Sequence, residues 1–202
     1  MTLEQLFSTC LTAPYQETGN QVNYAFLRED DTLYIFFEGS NGKTDWFRNL
    51  DFPAKPYHKM GKTVWYAHRG FLRAWKEVKP IINEKIADPT LKKIVTAGYS
   101  HGAAIAVLCH EYIWFHRRDL QDRLEGYGFG CPRVVWKPSA CKKRWTRFSV
   151  IRNLNDLITY LPPAFLGYRH VGQMIKIGKK GKYTPIQAHF SENILTELAL
   201  LS

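Results

Sequence analysis

The stretch that most restricts the fold of this chain runs from residue 93 to about residue 117. An apolar strand pattern ends at Ala97, the residues GYSHG follow, and a largely apolar helical pattern begins directly afterwards. Two further strand patterns, at 125–129 and 147–153, come later in the chain. Strands that alternate with helices favour a mostly parallel sheet covered by helices on its faces. We therefore predict an α/β fold.

The remaining patterns add elements on both sides of this stretch. They predict a helix over 2–13, an edge hairpin with strands at 23–27 and 33–37, a helix from Gly70 to about Asp88, a strand over 169–177 and a last helix from about Glu192. Between the hairpin and about Tyr66 the sequence is polar and mixed. Pro80 is expected to kink the helix that contains it. Without a visible linker or repeat, residues 1–202 are expected to form one domain.

The composition restricts the class of protein. Hydrophobic residues make up 45% of the chain, as in globular proteins. The first residues lack the basic start and the apolar core of a signal peptide, and no run of about 18 apolar residues occurs. We therefore expect a soluble, cytoplasmic protein. Four cysteines, at positions 10, 109, 131 and 141, match no metal or redox spacing, so reduced and mostly buried thiols are expected and no metal site is predicted.

The formal net charge of +10 raises nucleic acid and anionic membranes as partners, because both attract basic proteins. Two basic clusters contribute, at 142–147 and 176–182. Neither is accompanied by an aromatic and basic recognition motif, so nucleic acid is not an expected partner. Solvated surface charge is the simpler interpretation, and an approach to anionic lipid stays open.

The GYSHG turn predicts a reactive serine. Ser100 has Gly98 two residues before it and Gly102 two residues after it. A sharp turn from strand to helix exposes the serine hydroxyl only where these neighbours are small. The unpaired amides and the dipole at the helix start favour an anion, so the amide of His101 is a predicted oxyanion donor. The alternative is a packing turn without chemistry, because the pattern alone is weak.

A nucleophilic serine needs a base within hydrogen-bond reach and an acid that orients the base. In hydrolases with this turn, the acid and the histidine follow the serine along the chain. Asp156 comes just after the strand at 147–153, which places it at the same sheet edge as Ser100. Asp119, by contrast, lies roughly 28 Å along the helix from the serine. His189 lies in a loop before the last helix, so it is the predicted base.

Six segments in chain order carry a family resemblance. They are FFEGSNGKTDWFRNLDF, AHRGFLRAW, IVTAGYSHGAAIAVL, GYGFGCPRVV, IRNLNDLITYLPPAFLGYRHVG and PIQAHFSENI. From Leu33 to about Leu195 the chain resembles the fungal-type class 3 lipases, which are α/β hydrolases that cleave acylglycerols and related esters. Six ordered segments are far more specific than one serine motif. The resemblance implies the α/β-hydrolase fold.

The resemblance also implies roles for single residues. By position, Ser100 matches the nucleophile, Asp156 the acid and His189 the base, the same three residues that the chain order selects. His170 matches a noncatalytic histidine of the family. Ser40 matches the second oxyanion donor, which acts through its amide.

Three positions depart from the family pattern. Glu38 stands where the family usually has arginine, His101 where it often has leucine, and Ala103 where it often has glycine. A carboxylate that points into an oxyanion site opposes an anionic transition state. We therefore expect Glu38 to point away and to pair with a cation.

The segment after Ser40 resembles the family's lid. In it, Trp46, Phe47 and Leu50 fall on one side of a predicted helical turn. Such a face suits a short lid that opens at an oil or membrane surface and contacts substrate. A fixed packing helix is the alternative, because three apolar residues do not require motion.

Together these features predict ester hydrolysis through an acyl-enzyme, with neither metal nor organic cofactor. The expected partners are an ester or lipid substrate and, transiently, a lipid interface. Two alternatives stay open. One is a noncatalytic binding protein with the same fold, and the other is a hydrolase of thioesters or amides, since the pocket and not the triad selects the substrate.

Overall fold

A computed structural model describes residues 1–18, 22–39, 53–60, 63–137 and 143–201. The helices are α1 (Leu3–Thr12), α2 (Arg69–Ile86), α3 (His101–His116) and α4 (Ser191–Ala199). The strands are β1 (Gln16–Glu17), β2 (Asn23–Glu29), β3 (Thr32–Phe37), β4 (Ala54–Met60), β5 (Thr63–His68), β6 (Lys93–Tyr99), β7 (Leu124–Phe129), β8 (Val135–Trp136), β9 (Phe148–Asn153), β10 (Tyr168–Arg169) and β11 (Gln173–Ile177).

The central sheet has the strand order β1-β2-β3-β6-β7-β9-β11. Strands β3, β6, β7, β9 and β11 run parallel to one another, and the β2–β3 hairpin and β1 extend one edge in antiparallel pairing. The predicted mostly parallel sheet is therefore confirmed. Because β6, β7, β9 and β11 end at one edge, the loops that follow them come together there.

Side chains of the central strands alternate between two buried layers. On β3, Leu33 and Ile35 face the layer formed with α2 and α3, whereas Phe36 faces the layer formed with α1 and α4. Such alternation follows from the two-residue period of a strand. The inner strands β3 and β6 are thus covered on both faces, which explains why their sequences are almost continuously apolar.

A second, smaller sheet was not predicted from the sequence. Its order is β10-β8-β5-β4, and all of its pairs are antiparallel. Two of its strands have only two residues, and the β4–β5 register shifts between Pro56 and His58. Proline and an irregular register interrupt the alternation by which a strand is recognised. β4 and the start of β5 lie in the polar and mixed stretch before Tyr66, where no strand was predicted.

Two other predicted elements need adjustment. Residues 169–177 form two strands, because Gly172 (φ 78°) turns the chain between β10 and β11. Helix α2 continues through Pro80 to Ile86. Its start is capped by His68, whose Nδ1 accepts hydrogen bonds from the amides of Gly70 (3.2 Å) and Phe71 (3.4 Å).

The cysteines that the structure describes are buried, as predicted from the sequence. Cys10, Cys109 and Cys131 are buried, and none forms a disulfide within the described ranges, while Cys141 lies outside those ranges. In the same ranges, no helix has both the length and the apolar character needed to cross a bilayer.

Helix α3 lies at the centre of the larger core layer and carries a buried histidine. His110 is 1% exposed, and its Nε2 lies 3.0 Å from the carbonyl of Arg144. A side chain at Gly126 would come within 2.7 Å of the imidazole, so the glycine leaves room for the ring. Burial lowers the pKa of His110 to about 4, which keeps the imidazole neutral at neutral pH.

This burial predicts that His110 contributes to acid lability. Between pH 6.5 and 4 the unfolded chain binds a proton at this position and the folded chain does not, so stability is lost as the pH falls through that range. Between pH 7 and 5 the protein is expected to lose on the order of 2 kcal/mol more than His110→Gln does. Urea unfolding at both pH values measures the difference. A matched change at the exposed His116, His116→Gln, should keep the wild-type slope, and equal slopes for all three proteins would contradict the prediction.

Candidate active site

Ser100 occupies a strained turn between β6 and α3. Its backbone has φ 55° and ψ −117°, a conformation that residues with a Cβ rarely adopt. The amide of Ser100 donates to the carbonyl of Phe129 at the end of β7 (2.9 Å). The serine therefore lies at the carboxyl edge of the parallel sheet, directly before the first turn of a helix.

The two glycines of the motif have a steric reason. A Cβ at Gly98 would lie 2.3 Å from the carbonyl oxygen of Gly102, and a Cβ at Gly102 would lie 2.2 Å from the carbonyl oxygen of Phe37. Real Cβ atoms do not approach backbone this closely, so any larger residue would displace the turn. The GxSxG spacing thus lets the turn pack against itself and against the end of β3.

The structure brings the three predicted triad residues together. Nε2 of His189 lies 2.8 Å from Oγ of Ser100, and Nδ1 of His189 lies 2.9 Å from Oδ2 of Asp156. Asp156 is fully buried and Ser100 is 4% exposed. A carboxylate at Nδ1 favours the tautomer that carries its proton there, which leaves Nε2 free to accept the serine proton. In this arrangement the imidazole is within reach of the serine proton, which is the geometry that activation of a nucleophile requires.

Backbone hydrogen bonds hold the acid in place. Asp156 follows β9 through Asn155, which adopts a left-handed conformation (φ 73°). Oδ1 of Asp156 accepts from the amide of Ile158 at 2.9 Å, and the carbonyl of Asp156 accepts from Oγ1 of Thr159 at 2.7 Å. Oδ2 is therefore left to face the imidazole.

The histidine comes from a single 3-10 turn, Gln187–His189, just before α4. Two hydrogen bonds tie this turn to the segment that carries Asp156. Nδ2 of Asn153 donates to the carbonyl of Ala188 (3.0 Å), and the amide of Leu157 donates to the carbonyl of Pro185 (3.1 Å). The acid and the base are thus positioned relative to each other by the main chain.

Sequence reasoning missed Tyr99 as a residue of the site. Its ring stacks on the imidazole of His189 with centroids 5.2 Å apart, and its hydroxyl donates to the carbonyl of His189 at 2.5 Å. The only signal in the sequence was that Tyr99 directly precedes Ser100. On a strand, consecutive side chains point to opposite faces, and the sequence alone does not show that the loop at 187–189 lies over this face.

The imidazole of His101 packs against Phe71 of α2, with ring centroids 5.6 Å apart. Burial lowers the pKa of His101 to about 4, so the ring is neutral at neutral pH and adds no cation beside Ser100. Any role of His101 toward an oxyanion would therefore act through its amide at the start of α3, as predicted.

Four other predicted site residues, namely Ser40, Trp46, Phe47 and Leu50, lie outside the described residues. Glu38 is described, and its Oε2 accepts from Nδ2 of Asn23 at 2.6 Å. Among the described residues, the hydrogen-bond partner of the Glu38 carboxylate is thus the amide side chain of Asn23, whereas a cation was expected. Its neighbour Gly39 lies on the ring of Tyr99, where a Cβ would come within 2.8 Å of Cδ1.

His170 has hydrogen-bond partners other than Ser100, Asp156 and His189. Its Nε2 lies 2.7 Å from the carbonyl of Thr159 and 2.9 Å from Nη2 of Arg152. Burial lowers the pKa of His170 to about 4. The ring therefore supports the segment that follows Asp156. In the described part of the chain, no group of three or more His, Cys, Asp or Glu side chains is arranged to hold a metal ion.

Comparison with known proteins places the chain in a family. The family model "Lipase (class 3)" matches residues 34–166, a range that includes Ser100 and Asp156, whereas His189 lies beyond it. The lipase of Rhizomucor miehei is 32% identical over an alignment of 159 residues that covers 71% of this chain and 41% of that protein. The lipase of Rhizopus niveus is 29% identical over an alignment of 175 residues that covers 81% of this chain and 43% of that protein.

Solved structures give the same result for the fold. The triacylglyceride lipase of Rhizomucor miehei superimposes with a TM-score of 0.66 at 26% identity, covering 78% of this chain and 62% of that one. A triacylglycerol lipase whose catalytic centre is described as a serine protease triad superimposes with a TM-score of 0.67 at 27% identity, with the same two coverages.

The chain spans less than half the length of the curated relatives that it matches. Within this span, the family model covers most of the chain, and the α/β-hydrolase architecture and the serine turn both agree with it. The chain therefore belongs to the class 3 lipase family and has its α/β-hydrolase fold.

Proposed function

We propose that this chain hydrolyses carboxylic esters of the acylglycerol type through an acyl-enzyme, with Ser100 as nucleophile, His189 as base and Asp156 as acid. The observation that carries the proposal is the continuous relay from Oγ of Ser100 through the imidazole to the buried carboxylate, at 2.8 Å and 2.9 Å. Family membership supports ester chemistry over other uses of the same relay.

In the first half of the reaction, Nε2 of His189 takes the proton of Ser100 as Oγ attacks the ester carbonyl carbon. The amides of His101 and Ser40 hold the resulting oxyanion, which the dipole of α3 also stabilises. Collapse of this intermediate breaks the bond to the alcohol oxygen, and the imidazolium gives its proton to the departing alcohol.

In the second half, water attacks the acyl-enzyme while His189 takes one of its protons. The tetrahedral intermediate then releases the carboxylic acid, and the proton returns to Oγ of Ser100. The buried Asp156 holds the imidazole in the required tautomer throughout. Every step uses groups of this chain, substrate and water.

A fluorophosphonate probe tests the nucleophile directly. The wild-type protein should be labelled, Ser100→Ala should not react, and His189→Ala should react at least about 10³-fold more slowly, because the base that activates the serine is lost. In-gel fluorescence over time gives the rates.

Matched changes outside the relay, Ser191→Ala and His116→Ala, should label at the wild-type rate. Labelling that survives Ser100→Ala would overturn the proposed nucleophile. A folded wild-type protein that never reacts would favour the noncatalytic binding protein. A panel of esters, thioesters and amides at equal chain length then separates the lipase from the other hydrolases.

Lipid substrates are favoured over small soluble esters by the surface beside the triad, which we call the apolar rim. Its exposed side chains come from the segment after Asp156 and from the turn before His189. They are Leu157 (43%), Tyr160 (43%), Phe165 (87%), Leu166 (42%) and Ile186 (63%). Exposed apolar side chains this close together are typical of surfaces that contact lipid or protein. We propose that the apolar rim contacts a lipid interface transiently during catalysis.

Cations surround the apolar rim and are tied to its backbone. Nη1 of Arg133 donates to the carbonyls of Tyr160 and Pro162, and Arg169 donates to the carbonyl of Ala164. Burial and the neighbouring guanidiniums of Arg152 and Arg169 lower the pKa of Arg133. No carboxylate within the described residues forms an ion pair with these arginines. An anionic lipid surface would supply the missing negative charge.

Vesicle binding tests the apolar rim without turnover when it is measured on the Ser100→Ala protein. In the Ser100→Ala background, a second substitution, Phe165→Ser, should weaken binding to all vesicles by about tenfold, because one large apolar side chain is lost from the interface. Added Arg169→Glu should remove most of the preference for phosphatidylglycerol over phosphatidylcholine vesicles. Co-sedimentation measures both effects.

Matched changes at exposed residues outside the apolar rim, Leu200→Ser and Arg118→Glu, should leave vesicle binding unchanged. Equal effects of the rim and the control variants would show that binding follows net charge and bulk hydrophobicity, and would remove the rim from the proposal.

A cytoplasmic location stays a prediction for this chain. One relative, from Malassezia restricta, is named a secreted mono- and diacylglycerol lipase and is 30% identical over 141 residues. The three described thiols are buried and reduced, which supports the intracellular alternative. Fractionation of the source cells would decide between the two.

A further inference from the structure

We infer that Tyr99 is a positioning residue for His189 and that it couples the base to the oxyanion loop at Gly39. The inference rests on the proposed function and adds a residue to it. Tyr99 contacts neither Ser100 Oγ nor Asp156 through any described hydrogen bond, so its effect on the reaction would pass through the imidazole. Three parts of the fold meet on this one side chain, namely the turn that carries His189, helix α1 and the segment after β3.

The first contact fixes the main chain of His189. The hydroxyl of Tyr99 donates to the carbonyl of His189 at 2.5 Å. This carbonyl belongs to the last residue of a short 3-10 turn, where carbonyls lack partners within the turn. Without the tyrosine, the turn would be held against the segment that carries Asp156 by the hydrogen bonds that the carbonyls of Pro185 and Ala188 accept from that segment.

The second contact fixes the plane of the imidazole. The two hydrogen bonds of His189, at Nδ1 and Nε2, do not by themselves prevent the ring from tilting about the line that joins these two atoms. The phenol ring lies on one imidazole face at 5.2 Å and 25°. Gly130 lies against the ring edge, where a Cβ would come within 2.8 Å of Cε1. Together they restrict the tilt.

The stacking also matches the charge that develops in the reaction. When the imidazole takes the serine proton it becomes a cation, and the electron-rich face of a tyrosine attracts a cation within about 6 Å of the ring centroid. The Tyr99 ring meets this distance from the imidazole. The stacked ring is therefore placed to contact the imidazolium that the proposed proton transfer forms.

The phenol ring is itself held from two sides. Phe7 of α1 meets it edge-on, with centroids 5.6 Å apart. Gly39 covers another part of it so closely that a Cβ would lie 2.8 Å from Cδ1 and 3.2 Å from the Tyr99 carbonyl. A shift of the phenol ring would therefore displace both Gly39 and His189.

Two substitutions separate the hydroxyl from the ring. Tyr99→Phe keeps the ring and should lower kcat on a soluble short-chain ester by on the order of tenfold. Tyr99→Leu removes both contacts and should lower kcat by about 100-fold, as expected for a displacement of the base by about 1 Å. KM should stay within twofold for both variants, because no substrate contact is removed.

A control distinguishes positioning from general destabilisation. Tyr57 on β4 makes the same kind of bond away from the triad, since its hydroxyl donates to the carbonyl of Leu108 at 2.7 Å. Tyr57→Phe should lower Tm by an amount similar to Tyr99→Phe and leave kcat unchanged. Equal losses of kcat in both variants would reduce Tyr99 to a stability effect and overturn the inference.

Proton NMR gives a readout that does not require turnover. The Nδ1 proton between His189 and Asp156 should give a low-field resonance that disappears in Asp156→Asn. We expect it to broaden in Tyr99→Phe and to be lost in Tyr99→Leu, while Tyr57→Phe keeps it. If the wild-type protein hydrolyses no ester, the proposed function fails and this resonance still tests Tyr99. An unchanged resonance with kcat within twofold in both Tyr99 variants would overturn the inference.

Discussion

The backbone turn at Ser100 is the constraint on which the rest of the site depends. A non-glycine residue at φ 55° and ψ −117° is strained, and such strain persists only where the surroundings determine the conformation. Here Gly98 and Gly102 allow the turn to pack on itself and on the end of β3, and a hydrogen bond to β7 holds the serine amide. This conformation directs the hydroxyl outward from the sheet edge and starts α3 directly behind it.

The parallel sheet then decides what surrounds the serine. Strands β9 and β11 run parallel to β6 and β7, so the segments that follow them emerge at the same edge. Asp156 and His189 are 33 residues apart in sequence and meet because main-chain hydrogen bonds join their segments. A buried carboxylate with two partners, the imidazole and one backbone amide, is held in one orientation. The proposed chemistry depends on this rigidity.

The same segments carry residues of opposite character. Their inner side chains complete the relay, whereas their outer side chains form the apolar rim and its cations. Tyr99 and Gly39 extend this arrangement to the opposite side of the imidazole, where they connect the base to the loop after β3. The base is therefore enclosed by groups from β6, from the end of β7 and from the segment after β9, and a change in one of them is transmitted to the imidazole.

Much of this protein is determined by local sequence. The alternation of apolar patterns predicts the parallel sheet, and GYSHG predicts the turn, because both depend on the period of side chains and on the size of single residues. The chain order and the sheet edge were sufficient to select Asp156 and His189. Only the tertiary structure decided the second sheet, the amide partner of Glu38 and the stacking of Tyr99 on the base. Strands of two residues have no pattern of their own, and contacts between residues distant in sequence depend on how loops close over the sheet, which the local pattern does not encode.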